Sequence, residues 1–176
     1  LGFVEEARAE NAVAALAHNL DQIGRTEDVR FGTQLSAEFG VSQAAFGATG
    51  NALVASLGAS RGYRLPSDQS LFISGNWGSR IEGGSLRDSL LSISSRYFWR
   101  ASDKAVLFVG LAADAGSALD LDHELMLGGD AGLRGYPLRY QTGTARALLT
   151  IEGRYFTDWY PFRLARVGAA AFVDVG

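Results

Sequence analysis

The chain has no cysteine among its 176 residues, which excludes disulfides and thiolate metal sites but does not decide a compartment. It also lacks a basic patch. Sixteen Lys and Arg stand against 19 Asp and Glu, for a net charge of −3, and this balance gives no polyanion such as nucleic acid a place to bind. With only two histidines, His18 and His123, there is little material for an imidazole-based site. No basic segment followed by an apolar core and a small-residue cleavage site stands at Leu1. The one long charge-free stretch, Phe39 to Ser60, has the length of a membrane helix, yet it is broken by Gly40, Ser42, Gln43, Gly47, Thr49, Gly50 and Asn51. It reads as strand, loop, strand.

What the chain does have is alternation. Between Ser89 and Trp99, Leu91, Ile93, Tyr97 and Trp99 fall on one parity and Leu90, Ser92, Ser94, Arg96 and Phe98 on the other. Side chains of a strand point to opposite faces with period two, so one face is apolar and ends in aromatics while the other is mostly polar. The pattern recurs. Phe31, Leu35, Ala37, Phe39 and Val41 oppose Arg30, Gln34, Ser36 and Glu38; Leu71, Ile73, Trp77 and Ile81 oppose Ser74, Asn76, Arg80 and Glu82. Leu149, Ile151 and Tyr155 oppose Thr150, Glu152 and Arg154, and Ala169, Ala171, Val173 and Val175 oppose Ala170, Phe172, Asp174 and Gly176. Leu53 to Tyr63 and Ala105 to Asp114 complete the set. Glu5 to Leu20 fits an alanine-rich amphipathic helix, and Asn11 to His18 fits a strand equally well. Repeated ten-residue segments with one greasy and one wet face predict an all-β, antiparallel transmembrane β-barrel with bacterial outer-membrane lipid as its outer partner.

The longest connection, about 116–145, contains Leu127-Gly-Gly-Asp-Ala-Gly-Leu-Arg-Gly-Tyr-Pro137. Its Gly132-Leu133-Arg134-Gly135-Tyr136 segment resembles the [V/I/L]-R-G-[F/Y] loop of the bacterial surface-antigen superfamily, which includes the BamA and TamA assembly factors and the two-partner secretion transporters. Phe172-Val-Asp-Val-Gly176 resembles that superfamily's F-x-D-x-G strand motif. The likeness is motif-level from about Arg96 to Gly176 and pattern-level before it. It implies that the loop folds into the barrel lumen and that Arg134 meets acidic groups on the inner wall. Parity places Glu152 and Asp174 on that wall, and a guanidinium matches a carboxylate with a planar fork that lysine lacks.

Antiparallel alternation puts the turns Arg64 to Asp68, Arg100 to Lys104 and Thr157 to Arg163 on one side. Ala44 to Asn51, Glu82 to Asp88 and the long loop fall on the other. Tyr63, Trp99, Trp159, Tyr160 and Phe162 then gather at the short-turn rim, as an interfacial girdle does. Gly176 lies inside an alternating segment, and an open sheet edge is costly in lipid. The expectation is therefore a single partial barrel domain, 1–176, holding seven or eight strands of a larger barrel, without the periplasmic domain and closing strands of the family. The resemblance implies insertion or translocation of polypeptides. Two alternatives stay open: an anchor or secretion module for a passenger domain, and a complete eight-stranded structural barrel, although a barrel that small has no room for an infolded loop.

Enzymatic readings find weak support. Gly58-Ala-Ser-Arg-Gly62 has the G-x-S-x-G spacing of a nucleophile elbow, but the following Tyr-Arg-Leu-Pro does not open a helix. Asp120-Leu-Asp-His-Glu124 gathers oxygen ligands suited to calcium, but reads better as a solvated loop. Gly129 to Gly135 has the wrong spacing for a dinucleotide fingerprint. The reading is no enzyme, no metal and no cofactor.

Overall fold

A computed structural model describes residues 3–18, 26–46, 50–120, 123–164 and 166–176. Ten strands follow one another: β1 (Phe3–His18), β2 (Thr26–Ser42), β3 (Ala52–Leu65), β4 (Gln69–Glu82), β5 (Ser85–Ser102), β6 (Ala105–Ser117), β7 (Leu125–Leu127), β8 (Gln141–Gly143), β9 (Ala145–Phe156) and β10 (Gly168–Val175). Eight of them form one antiparallel sheet in the order β1-β2-β3-β4-β5-β6-β9-β10, while β7 and β8 pair separately inside the long connection. Among the described residues no α-helix occurs and no backbone pairing joins β1 to β10. The N-terminal segment, ambiguous by pattern, is strand from Phe3 to His18; Leu20 lies outside the described residues.

Local chemistry explains the turns. Gly83 and Gly84, with φ of 56° and 80°, make the two-residue turn between β4 and β5, whose twist matches that of the flanking strands. Between β5 and β6, the Ser102 hydroxyl accepts the backbone N–H groups of Lys104 and Ala105 at 3.3 and 3.1 Å. The short connections β3–β4, β5–β6 and β9–β10 lie at one end of the sheet, and β4–β5 and the long loop lie at the other.

Register carries the alternation from strand to strand. Leu57, Trp77 and Leu91 stand abreast on β3, β4 and β5, and Val109, Ile151 and Val173 stand abreast on β6, β9 and β10. Among the described residues no second layer covers this face: Leu35, Leu57, Ile73, Leu91, Ile93, Leu111, Ile151 and Val173 are all exposed. The few deeply buried apolar side chains among the described residues belong mostly to the opposite face or the long loop, and include Phe98, Val106, Leu125, Leu127 and Leu133.

Two positions depart from simple parity. Gly78 pairs with Leu90 but Arg80 pairs with Arg87, so β5 carries one extra residue at a bulge, where Asp88 has a φ of 48°. The bulge moves Leu86 to the apolar face opposite Ile81, despite its even number. Phe31, expected on the apolar face with Leu35, instead packs its ring on Phe72 at 5.5 Å, on the polar face. The intervening Gly32 has a φ of 108°, which breaks the alternation between Phe31 and the rest of β2.

Candidate functional site: the arginine-anchored loop

The connection from β6 to β9 folds against the polar face near β9 and β10. The short β7–β8 pair narrows it, and a 3-10 turn at Gly129–Ala131 reverses it. Gly132 ends this turn in the left-handed region, and a Cβ there would come within 2.6 Å of Leu148 on β9. That close approach seats Leu133, which is buried, and delivers the next residue to the wall. Gly135, with a φ of 87°, turns the chain away again.

Arg134 is held on several sides. Its Nε and Nη2 donate to the two oxygens of Asp174 at 2.8 and 2.9 Å, and its backbone N–H donates to the same carboxylate at 3.2 Å. Nη1 donates to Glu152, and the guanidinium carbon lies 3.5 Å from the centre of the Phe172 ring. Thr150 adds an O–H donor to Asp174 at 2.9 Å, and Arg154 donates to the other oxygen of Glu152 at 2.7 Å. The Asp174 side chain is 2% exposed and that of Glu152 12%, whereas that of Arg134 is 35% exposed. Hydrogen bonding to Asp174 and Glu152 raises the Arg134 pKa, so the cation persists at any ordinary pH. The arrangement is a bidentate ion pair with an aromatic floor. It can fix a loop; it offers no nucleophile or general base beside an open reaction space.

The structure thus brings Gly132, Leu133, Arg134, Glu152, Phe172 and Asp174 together. Gly176 also lies close by: a Cβ on it would meet Leu127 of β7 at 2.9 Å. Tyr136 is different. It is exposed and pairs with Tyr140 at 5.2 Å within the loop.

Further ties were not anticipated from the sequence. Arg146, at the start of β9, donates to Asp114 at 2.6 Å and to the Met126 carbonyl at 2.8 Å, so the sheet also grips the loop. At the loop's origin Arg80 forms a two-bond pair with Asp120 at 2.9 and 3.3 Å, and His123 Nδ1 lies 2.7 Å from Asp88. Arg146 and Asp114 share the polar parity and are register partners, a signal that becomes visible only once the β6–β9 pairing is known. These ties occupy Asp120 and His123. Asp122 lies outside the described residues, and among the described residues no three His, Asp or Glu side chains converge as a metal site would require. Ser60 sits in the middle of β3, paired on both sides, with its hydroxyl donating to Gln34 at 3.3 Å; the strained strand-to-helix turn of a nucleophile elbow is not formed there. His18 ends β1.

No protein-family model matches the chain, and no curated protein or solved structure does either.

Proposed function

We propose that the chain is a wall section of an outer-membrane β-barrel of the surface-antigen superfamily, whose polar face lines a lumen and whose work is insertion or translocation of polypeptides. One observation carries the reading: the sheet exposes a largely apolar face on one side, interrupted near the short-turn end by Arg61, which lies over the Tyr63 ring, while its other side carries carboxylates, guanidiniums and an infolded loop tied by Arg134. In water such a face is a large uncovered apolar patch, which monomeric soluble proteins rarely expose. In lipid it is the expected surface of a barrel strand, and the polar side is the lumen. Exposed Tyr63, Trp99, Trp159, Tyr160 and Phe162 cluster at the short-turn end, where aromatic side chains anchor at the headgroup level. Among the described residues the outer edges of β1 and β10 carry no backbone pairing, and strand edges that face lipid require hydrogen-bond partners. The Arg134 tie then braces the loop inside the lumen, leaving its exposed Tyr136–Tyr140 tip toward the substrate path.

A cysteine-free chain makes the test direct. In intact protein within outer-membrane vesicles, Ser74→Cys is expected to react with a small water-soluble maleimide and Ile73→Cys with a lipid-dissolved one. Equal reactivity of both toward the water-soluble reagent would refute the two-sided wall.

A further inference from the structure

The polar face is not uniformly polar. Across β2, β4, β5 and β6, near the short-turn end, Phe31, Phe72, Phe98 and Phe108 form an unbroken row with ring centres 5.5, 6.1 and 5.1 Å apart. Guanidiniums lie over three of these rings: Arg64 over Phe31 at 4.8 Å, Arg96 over Phe72 at 5.8 Å and Arg154 over Phe108 at 5.0 Å. Beside the row a cavity of about 390 Å³ opens onto Phe31, Phe98 and Val106, with Arg64, Arg100 and Asp68 at its edge. The Arg134 tie meets this row at Arg154, which shares Glu152 with Arg134. The row's direction is informative, because it runs across the strands and so follows the inner circumference of a barrel wall. A chain moving along the barrel axis has to cross it.

We infer that this row is a contact collar for an extended polypeptide segment bearing aromatic and acidic side chains; the inference rests on the lumen reading above. The exposed guanidiniums of Arg64 and Arg96, 4.8 and 5.8 Å from their ring centres, present a further planar face and N–H groups to solvent. That face can stack on a second aromatic ring, and the edge N–H groups can donate to a carboxylate. Arg64 and Arg96 are exposed, and Glu152, the carboxylate on the neighbouring strand, already accepts from Arg134 and Arg154. Asp68 at the cavity edge faces two cations there, Arg64 and Arg100, so the row keeps an excess of positive charge and is complementary to negative charge. A polypeptide is favoured over an anionic lipid because the row lies on the face opposite the apolar surface, where acyl chains have no matching wall. Stacking and charge contacts of this type tolerate many sequences, as a translocation path needs.

The test uses the full native chain in nanodiscs and a fluorescent, end-blocked hexapeptide of alternating Phe and Glu, read by anisotropy. It is expected to bind at least about tenfold more tightly than the Phe/Lys and Ser/Glu hexapeptides, because each of those lacks one of the two contacts. The double variant Arg64→Gln, Arg96→Gln is expected to lose about tenfold in affinity, and Arg96→Lys, which keeps charge but not the planar stack, a few-fold. Unchanged peptide affinity in these variants, or equal binding of the Ser/Glu peptide, would overturn the collar. Displacement of the peptide by short-chain phosphatidylglycerol at the same affinity in an Arg-dependent manner would assign the row to lipid instead and also overturn it. The Ser74→Cys labelling separates the two levels: if it fails, the lumen reading falls, and if it succeeds while the peptide does not bind, only the collar falls.

Discussion

At the scale of single residues, Arg134 shows how burial decides what an ion pair is worth. Asp174 is almost wholly enclosed and receives four donors, from Arg134 Nε, Nη2 and backbone N–H and from Thr150. Removing the arginine strands that carboxylate. The full penalty for a dry broken pair is about 3 to 5 kcal/mol, but Arg134 retains access to water, so about 1 to 3 kcal/mol of loop docking is the better figure. Lysine at 134 offers a single ammonium in place of a fork and cannot span Asp174 and Glu152 with the same geometry. Arg134→Ala and Asp174→Asn are therefore expected to raise the rate of tryptic cleavage after Arg139, on the exposed loop tip, by about tenfold or more, with Arg134→Lys recovering less than half of the protection. Wild-type cleavage rates in all three variants would show that the ion pair does not hold the loop.

At the scale of elements, the long loop is a strap fastened along its length: Arg80 to Asp120 at its origin, Arg146 to Met126 in its descending arm, and Arg134 to Asp174 and Glu152 at its turn. The fastenings respond to pH in a calculable sense. Hydrogen bonding from Arg80 holds the Asp120 carboxyl below its ordinary value, so its contribution is complete above about pH 3.9 and is lost only as pH falls through the lower folded value. Hydrogen bonding to Asp174 and Glu152 shifts Arg134 upward, so the contribution of its charge is present below its ordinary value and is lost only in strong base. Accessibility of a Tyr140→Cys probe should consequently stay flat between about pH 5 and 9 and rise only in strong acid. A step near neutrality would show that these two ion pairs do not govern docking. How much of this was legible follows from periodicity. Strands such as β9 and β10, and the convergence of Arg134 with Glu152 and Asp174, follow from alternation plus a short motif. The bulge at Asp88 was not legible, because an extra residue in β5 leaves composition unchanged while reversing the parity of Leu86. Phe31 departs for a different reason, because Gly32 takes the backbone through a positive φ without adding a residue. Arg146 required knowledge of which strand lies beside β9, and neighbours across a 27-residue connection are not written in local pattern.

At the scale of the whole molecule, the arrangement inverts the usual relation between core and surface. Burial of apolar area away from water is the main drive for folding, yet here the greatest apolar surface lies on the uncovered side of a single sheet. Such a sheet gains stability only where its surroundings replace the missing layer. Ile93 and Ser94 sit next to each other at the middle of β5, paired across β4 with Gly75 and Ser74, and they point to opposite faces. Ile93 is exposed on the apolar side, and Ser94 shares a 2.7 Å hydroxyl contact with Ser74 on the other. Placing one arginine at each position asks the same question of both solvents. If lipid covers the apolar side, Ile93→Arg should cost about 2 to 4 kcal/mol near the midplane of the bilayer, while Ser94→Arg, facing water, should cost under about 1 kcal/mol. Urea titration of the native chain in lipid vesicles measures both. Equal costs would mean that neither face meets hydrocarbon, and a larger cost at Ser94 would place the core of the protein on the side read here as lumen.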